Sequence, residues 1–231
     1  MGQRRAARDR LTYVVDALVA AILAPRCAAC SSTLEYPTRG AVCDICWADV
    51  KSLIPPVCDS SELGAVDRSR SAGGYDGALR HIIHAFKYEG RRSLSVRLGT
   101  VLADTGADVL SDAHCVVPVP LHPWRRLTRG FNQATDLASC LELPIVHALW
   151  RTRATAPQTG LTAASRRRNV RGAFMLSPLL SACVRQSMLE GHIVVLIDDV
   201  RTTGATLDAC AQVLKKAGVK EVRALTLALA E

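Results

Sequence analysis

Two stretches of this chain carry residue types whose spacing implies chemistry. The first is HIVVLIDDVRTTGATL, His192 to Leu207, where a mostly apolar run ends in the adjacent carboxylates Asp198 and Asp199. Neighbouring side chains of an extended strand point to opposite faces, so both carboxylates can serve one ligand only where the strand stops. At the carboxyl edge of a parallel sheet the chain turns into a loop, and open α/β sheets bind ligands at that edge. Thr202, Thr203, Gly204, Ala205 and Thr206 then open a helix, whose unpaired N–H groups and positive dipole end favour a phosphate. Gly204 lets the backbone come close, and the threonines add hydroxyls. Beside such a cup the carboxylates must hold something other than phosphate. Ribose hydroxyls or a hydrated Mg²⁺ fit, so the set points to a ribose 5-phosphate. A turn started by Asp199 and a threonine cap would explain a lone D-x-x-T, but not apolar strand, Asp-Asp and TTGAT in order. The string is neither a Walker loop nor a dinucleotide fingerprint.

The second stretch holds the cysteine pairs Cys27-Ala-Ala-Cys30 and Cys43-Asp-Ile-Cys46, with twelve residues between them. Each pair presents two thiolates from a tight turn, and together they complete a tetrahedron, which is a ribbon-type structural Zn²⁺ site. A redox pair would not need its twin. The other five of the nine cysteines, Cys58, Cys115, Cys140, Cys183 and Cys210, share no such spacing. An odd count argues against a complete disulfide framework and favours a reducing cytoplasm. Cys115, Cys140, Cys183 and Cys210 lie in apolar settings and read as small core residues.

The elements that must position these groups follow from periodicity. Leu11, Val14, Val15, Leu18, Val19, Ile22 and Leu23 form one apolar stripe at helical spacing. Arg4, Arg5, Arg8 and Arg10 precede it in the charge order of a signal peptide, but Asp16 interrupts the run and no cleavage-type site follows before Pro25. An amphipathic helix is expected, and no stretch reaches membrane-span length. Residues 59–74, DSSELGAVDRSRSAGG, read as a linker or exposed loop between a 1–58 module and a 75–231 domain. Within that domain, Gly77 to Tyr88 and Ser93 to Leu110 read as helices, His114 to Pro120 as a short buried strand, Phe131 to Leu143 as a helix and Pro144 to Leu149 as a strand. Residues 151–171 read as a loop running into a short basic helix. Ile193 to Ile197 is the most hydrophobic strand, followed by a helix from about Ala205 to Ala217 and a last strand from Val222 to Leu229. The alternation gives an α/β fold with a mostly parallel sheet flanked by helices, preceded by a small zinc-ribbon-like module.

Composition narrows the ligand. The 231 residues are 49% hydrophobic and 22% charged, as in a soluble globular protein. Of the net charge of +8, +7 lies in residues 121–171, where nine arginines face two acidic residues. A band of this kind suits a polyanion, either small-molecule phosphates or nucleic acid, although such runs also serve as solvated faces. Aromatics make up 4% of the chain, and only Trp124, Phe131 and Trp150 lie in the band, which disfavours a single-strand binder built on stacked bases.

IVVLIDDVRTTGATL closely resembles the phosphoribosyl diphosphate loop of type I phosphoribosyltransferases. YDGALRHIIHAFKY from Tyr75, VPVPLHPWRRLTRGFNQA from Val117, the TGL and RRRNVRGAF segments from Thr159 and Arg166, and the cysteine module look like the ComF/GntX family. The resemblance implies that Asp198 and Asp199 contact the ribose hydroxyls while Thr202 to Thr206 cup the 5-phosphate. It further implies that Pro120, Leu121, His122 and Pro123 form the pyrophosphate loop and that 151–171 is a hood over the site. Arg125, Arg126 and Arg129 follow that loop, and with Arg166, Arg167 and Arg168 they supply candidate pyrophosphate donors. His122 reads as structural rather than as a base. The family pattern has a third cysteine pair, but Ser61 stands where the partner of Cys58 would be, leaving Cys58 a spare ligand or an orphan. The implied function is Mg²⁺-dependent phosphoribosyl transfer from phosphoribosyl diphosphate, with pyrophosphate release, in the cytoplasm. The alternatives are a ComF-type competence protein assisting DNA uptake, with single-stranded DNA or the competence machinery as partner and the fold used for ligand sensing rather than turnover, and a regulator that binds phosphoribosyl diphosphate without turnover.

Overall fold

A computed structural model describes residues 2–52, 57–58, 64–122, 127, 130–153, 170 and 172–230. The chain divides into two compact units, one of residues 1–52 and 76–94 and the other of 53–75 and 95–231.

In the first unit, helix α1 (Gly2–Leu23) is followed by the cysteine pairs, a short turn of 3₁₀ helix at Pro37–Arg39 and helix α2 (Asp44–Ser52). Backbone bonds shape the cysteine turn: the Ser31 N–H donates to Cys27 O at 2.9 Å, and the Cys27 N–H to Ser32 O at 2.8 Å. Helix α3 (Gly77–Tyr88) packs with α2. Trp47 and Val50 of α2 are buried, as are Leu79, Ile82, Ile83 and Phe86 of α3. The i, i+3, i+4, i+7 spacing of the latter set gives α3 one apolar face.

The second unit holds a five-stranded sheet in the order β1-β2-β7-β6-β3. Its strands are β1 (Val57–Cys58), β2 (Arg68–Gly74), β3 (Cys115–Pro118), β6 (Ile193–Arg201) and β7 (Glu221–Leu229). Only β1 runs antiparallel; β2 with β7, β7 with β6 and β6 with β3 are parallel. A separate antiparallel pair joins β4 (Leu149–Arg151) to β5 (Phe174–Leu176). Helices α4 (Leu94–Thr105), α5 (Ala107–Leu110), α6 (Gln133–Ala138), α7 (Ala182–Met188) and α8 (Ala205–Lys216) complete the unit. One core layer joins Cys115, Val117 and Val119 next to Val194 and Leu196 of β6, Val222 and Ala224 of β7, and Leu207, Cys210, Ala211 and Leu214 of α8.

Several elements differ from the sequence expectation. Residues 68–74, expected within a linker, form β2, in parallel register with β7 from Arg68↔Arg223 to Gly74↔Leu229. Their small or charged side chains give no hydrophobic signal, yet Ser71 is buried and its hydroxyl meets Thr226 Oγ1 at 2.7 Å. The helix expected over Ser93 to Leu110 is broken at Gly106, whose φ −97°, ψ 8° leaves the helical region, and a Cβ there would overlap the Leu225 methyls. Only Gln133–Ala138 is helical in the Phe131 to Leu143 segment; Asn132 caps it, accepting from the Ala134 N–H at 3.2 Å. The Pro144 to Leu149 segment meets the sheet through a single bridge, Val116↔Ile145, before β4 begins at Leu149. The basic helix expected near Arg166 lies outside the described residues.

Candidate functional site

Strand β6 does not stop at the paired carboxylates. It continues to Arg201, in register with β7 through Asp198↔Thr226, Val200↔Ala228 and Arg201↔Leu229. The edge therefore lies three residues beyond Asp198, and the two side chains alternate across the sheet. Val194 and Leu196 face the core layer under α8, so alternation puts Asp198 on that side and Asp199 on the other. Both are half-buried. Asp198 Oδ1 accepts the Asp199 N–H at 2.9 Å, which fixes that carboxylate against its own backbone.

After Arg201 the chain turns through Thr202 and Thr203 to Gly204, which sits at φ 71°, ψ −2° and opens α8. That left-handed conformation suits glycine, since a Cβ there crowds the following carbonyl. No side chain caps the helix. The Asp208 N–H makes the first intrahelical bond, to Gly204 O at 2.9 Å. The N–H groups of Ala205, Thr206 and Leu207 precede it and have no acceptor one turn back within the helix. Thr203 Oγ1 is buried and has no hydrogen-bond partner. A buried hydroxyl beside an uncapped helix start is unsatisfied donor capacity at the place where an anion gains most.

The second loop at this edge follows β3. Pro118 pairs with Ile197, and the Val119 N–H donates to Ile197 O at 2.9 Å, so Pro120, Leu121 and His122 leave the sheet beside the start of the Asp198-Asp199 pair. All three are half-buried. Asn132 Nδ2 donates to Val119 O at 3.1 Å and ties the root of this loop to the start of α6. Arg125, Arg126, Arg129 and Arg166 to Arg168 lie outside the described residues, as does 154–169 of the expected hood.

Two buried arginines near this edge, and the charges around Cys210, carried no sequence signal. Arg151 is 6% exposed at the base of the β4–β5 pair, its guanidinium 5.3 Å from the Phe174 ring centroid. Arg201 is 4% exposed and its Nη1 donates to Ser69 Oγ at 3.4 Å. Cys210, fully buried on α8, has its thiol pushed well up by burial, further up by the Asp198 charge and partly back by Arg151. Asp198 and Arg151 thus act on the same small volume beneath α8. From sequence alone, a single arginine at the end of a strand cannot be told from a surface residue. Of the cysteines expected in the core, Cys115 and Cys210 are buried, Cys140 is half-buried and Cys183 is exposed. Cys183 lies on α7, a helix with no buried residue.

In the other unit the metal-type donors are assembled. The thiols of Cys27, Cys30, Cys43 and Cys46 all lie within 4.8 Å of one another. Cys30 Sγ and Cys43 Sγ are 3.8 Å apart, matching the edge of a tetrahedron with Zn–S bonds of ~2.3 Å. The N–H groups of Ala29 and Cys43 both point at Cys27 Sγ, each at 3.4 Å. Ser32 Oγ lies 3.0 Å from Cys30 Sγ and draws that thiol down to about 6. Burial and the neighbouring sulfurs push Cys46 the other way. Four sulfurs at this spacing cannot all be thiolates without a cation among them, so the donor set fits a dication that takes sulfur.

The sequence comparisons match a known domain in each part of the chain. A phosphoribosyl transferase domain matches residues 127–230, and a double zinc ribbon domain matches residues 18–65. Fold and cysteine cluster together define a phosphoribosyltransferase-type domain joined to a zinc ribbon. The chain is 30% identical over 231 residues to Competence protein F of Haemophilus influenzae, covering 89% of this chain and 97% of that one. It is 30% identical over 214 residues to Competence protein ComFC of Bacillus subtilis, covering 87% and 82%. DNA utilization protein YhgH of Escherichia coli K12 is 34% identical over 163 residues, covering 64% and 66%. The chain belongs to the ComF/GntX family.

Proposed function

We propose that this protein binds phosphoribosyl diphosphate with Mg²⁺ between the β6–α8 turn and the Pro120 to His122 loop, and transfers its phosphoribosyl group to an acceptor with release of pyrophosphate. The observation that carries the reading is the uncapped start of α8, with left-handed Gly204 and the buried, unpartnered Thr203 hydroxyl. In this reading Thr202 to Thr206 hold the 5-phosphate and Asp198, on the α8 side of β6 with that cup, holds ribose hydroxyls, while Asp199 faces the other side of the strand. Their oxygen donors also suit a hydrated Mg²⁺, which would neutralise charge on the departing pyrophosphate. The Pro120 to His122 loop, with Arg125 and Arg129, receives the pyrophosphate.

A thermal-shift series tests it: phosphoribosyl diphosphate plus Mg²⁺ raises Tm in proportion to log ligand concentration, and ribose 5-phosphate alone does so more weakly. No shift at millimolar ligand contradicts the proposal.

A second reading rests on the names of the relatives, which refer to competence and DNA utilization. Here the arginine band of 121–171 tracks single-stranded DNA in the cytoplasm alongside the competence machinery. The two readings make different demands on those arginines. A pyrophosphate site uses one or two strongly through directed bonds. A nucleic-acid track uses them collectively, and affinity falls by a decade or more between about 50 and 200 mM salt.

A further inference from the structure

Moving a guanidinium out of water is costly unless an anion or a full set of hydrogen bonds receives it, and Arg151, the last residue of β4, is 6% exposed. Along that strand Leu149 and Arg151 are buried and Trp150 between them is exposed, so the arginine shares the inward face with Leu149. Leu149, and Phe174, which pairs with Arg151 across the β4–β5 ladder, belong to the core layer of Leu207, Cys210 and Leu214 on α8. Alternation along β6 brings Asp198 into the same layer from the sheet side. The fully buried Cys210 thiol feels both charges, pushed up by Asp198 and partly back by Arg151. The Phe174 ring, its centroid 5.3 Å from the guanidinium, limits where that charge can sit.

We propose that Arg151 is a positioning residue for phosphoribosyl diphosphate: its fixed positive charge turns the Asp198 carboxylate toward the α8 layer, in the orientation that receives the ribose hydroxyls. This rests on the reading of Asp198 as the carboxylate that holds them. Asp198 Oδ1 already accepts the Asp199 N–H at 2.9 Å, so a charge on the layer side has only the turn of the carboxylate about that bond left to fix. Asp199 faces away from the layer, which makes the two carboxylates unequal and the role of Arg151 specific to Asp198. Water at the sheet edge screens a half-buried carboxylate, so the effect belongs to ligand affinity rather than to Tm.

The test is a double-mutant cycle, read by calorimetry with phosphoribosyl diphosphate and Mg²⁺ on the full, zinc-loaded chain. Arg151→Met keeps an apolar stem of similar reach, removes the charge and should cost about tenfold or more in affinity. Arg151→Lys restores the charge without the planar fork and should return affinity to within about threefold of the parent. In an Asp198→Asn background, Arg151→Met should change affinity by less than about threefold, because the carboxylate it acts through is already gone. Should Arg151→Met not fold, Arg151→Gln, which keeps hydrogen-bond donors, takes its place in the same cycle. Equal losses in the two backgrounds overturn the proposal, since an arginine that only supports the fold weakens binding whether or not Asp198 is charged. Arg151→Met at parent affinity does the same, and in both cases the parent still binds, so the ligand reading stands. A parent chain that binds no phosphoribosyl diphosphate overturns that reading and this proposal with it.

Discussion

Gly204 does two things at once, and only its lack of a Cβ permits both. Its φ of 71° ends the turn after β6 and releases the first N–H groups of α8 toward the edge where Asp198 and Asp199 lie. Gly204→Ala should cost roughly 1–2 kcal/mol for the left-handed backbone, seen as a lower Tm, and should weaken phosphoribosyl diphosphate binding by more than that strain alone explains. A Gly204→Ala variant with parent Tm and parent affinity would show that the turn is not held as described. At this scale the sequence was legible where a residue type has a single use. A glycine among three threonines announces the turn that opens α8, and four cysteines in two pairs announce zinc. Arg151 was not legible, because its burial depends on Phe174, more than twenty positions away. Nor was the divergence of Asp198 and Asp199, which follows from three further residues of β6 pairing with β7.

At the scale of elements, the cysteine cluster holds the loop between α1 and α2 at one point, and metal binding contributes folding energy directly in such modules. Cys43→Ser should lose zinc and local structure in the first unit while the parallel sheet of the second keeps its cooperative unfolding, read by metal analysis and far-UV circular dichroism. The elements read correctly from sequence are those with a strong period, such as α3, α8 and β7. Strand β2 was hidden because a strand lying between two others can be built from arginine, serine, alanine and glycine when its neighbours supply the bulk.

Across the second unit, charge pairs tie helices to the sheet edge away from the candidate site. Arg223 of β7 is 1% exposed and donates to Val109 O at 3.0 Å and Glu221 Oε1 at 2.6 Å, and pairs with Asp112. Arg70 of β2 pairs with Asp108 on α5. Hydrogen bonds from Arg223 and Arg70 hold these carboxyls below their ordinary range, Asp112 at about 2 and Glu221 and Asp108 lowered. A carboxylate depressed in the folded state stabilises it fully above its unfolded pKa, and the contribution disappears as pH falls through the folded value. Stability should therefore decline from about pH 4 toward pH 2, and Asp112→Asn should flatten part of that decline in urea titrations. An unchanged slope would show that this pair does not couple to folding.

The role assigned to the two carboxylates is reached most directly by calorimetry of phosphoribosyl diphosphate with Mg²⁺, comparing the parent with Asp198→Asn/Asp199→Asn. Removing two like charges that alternate across β6 should leave Tm equal or higher and should cost at least about tenfold in affinity, since charge-assisted bonds to ribose hydroxyls would be lost. Equal affinity in the two proteins would contradict the proposed ligand site.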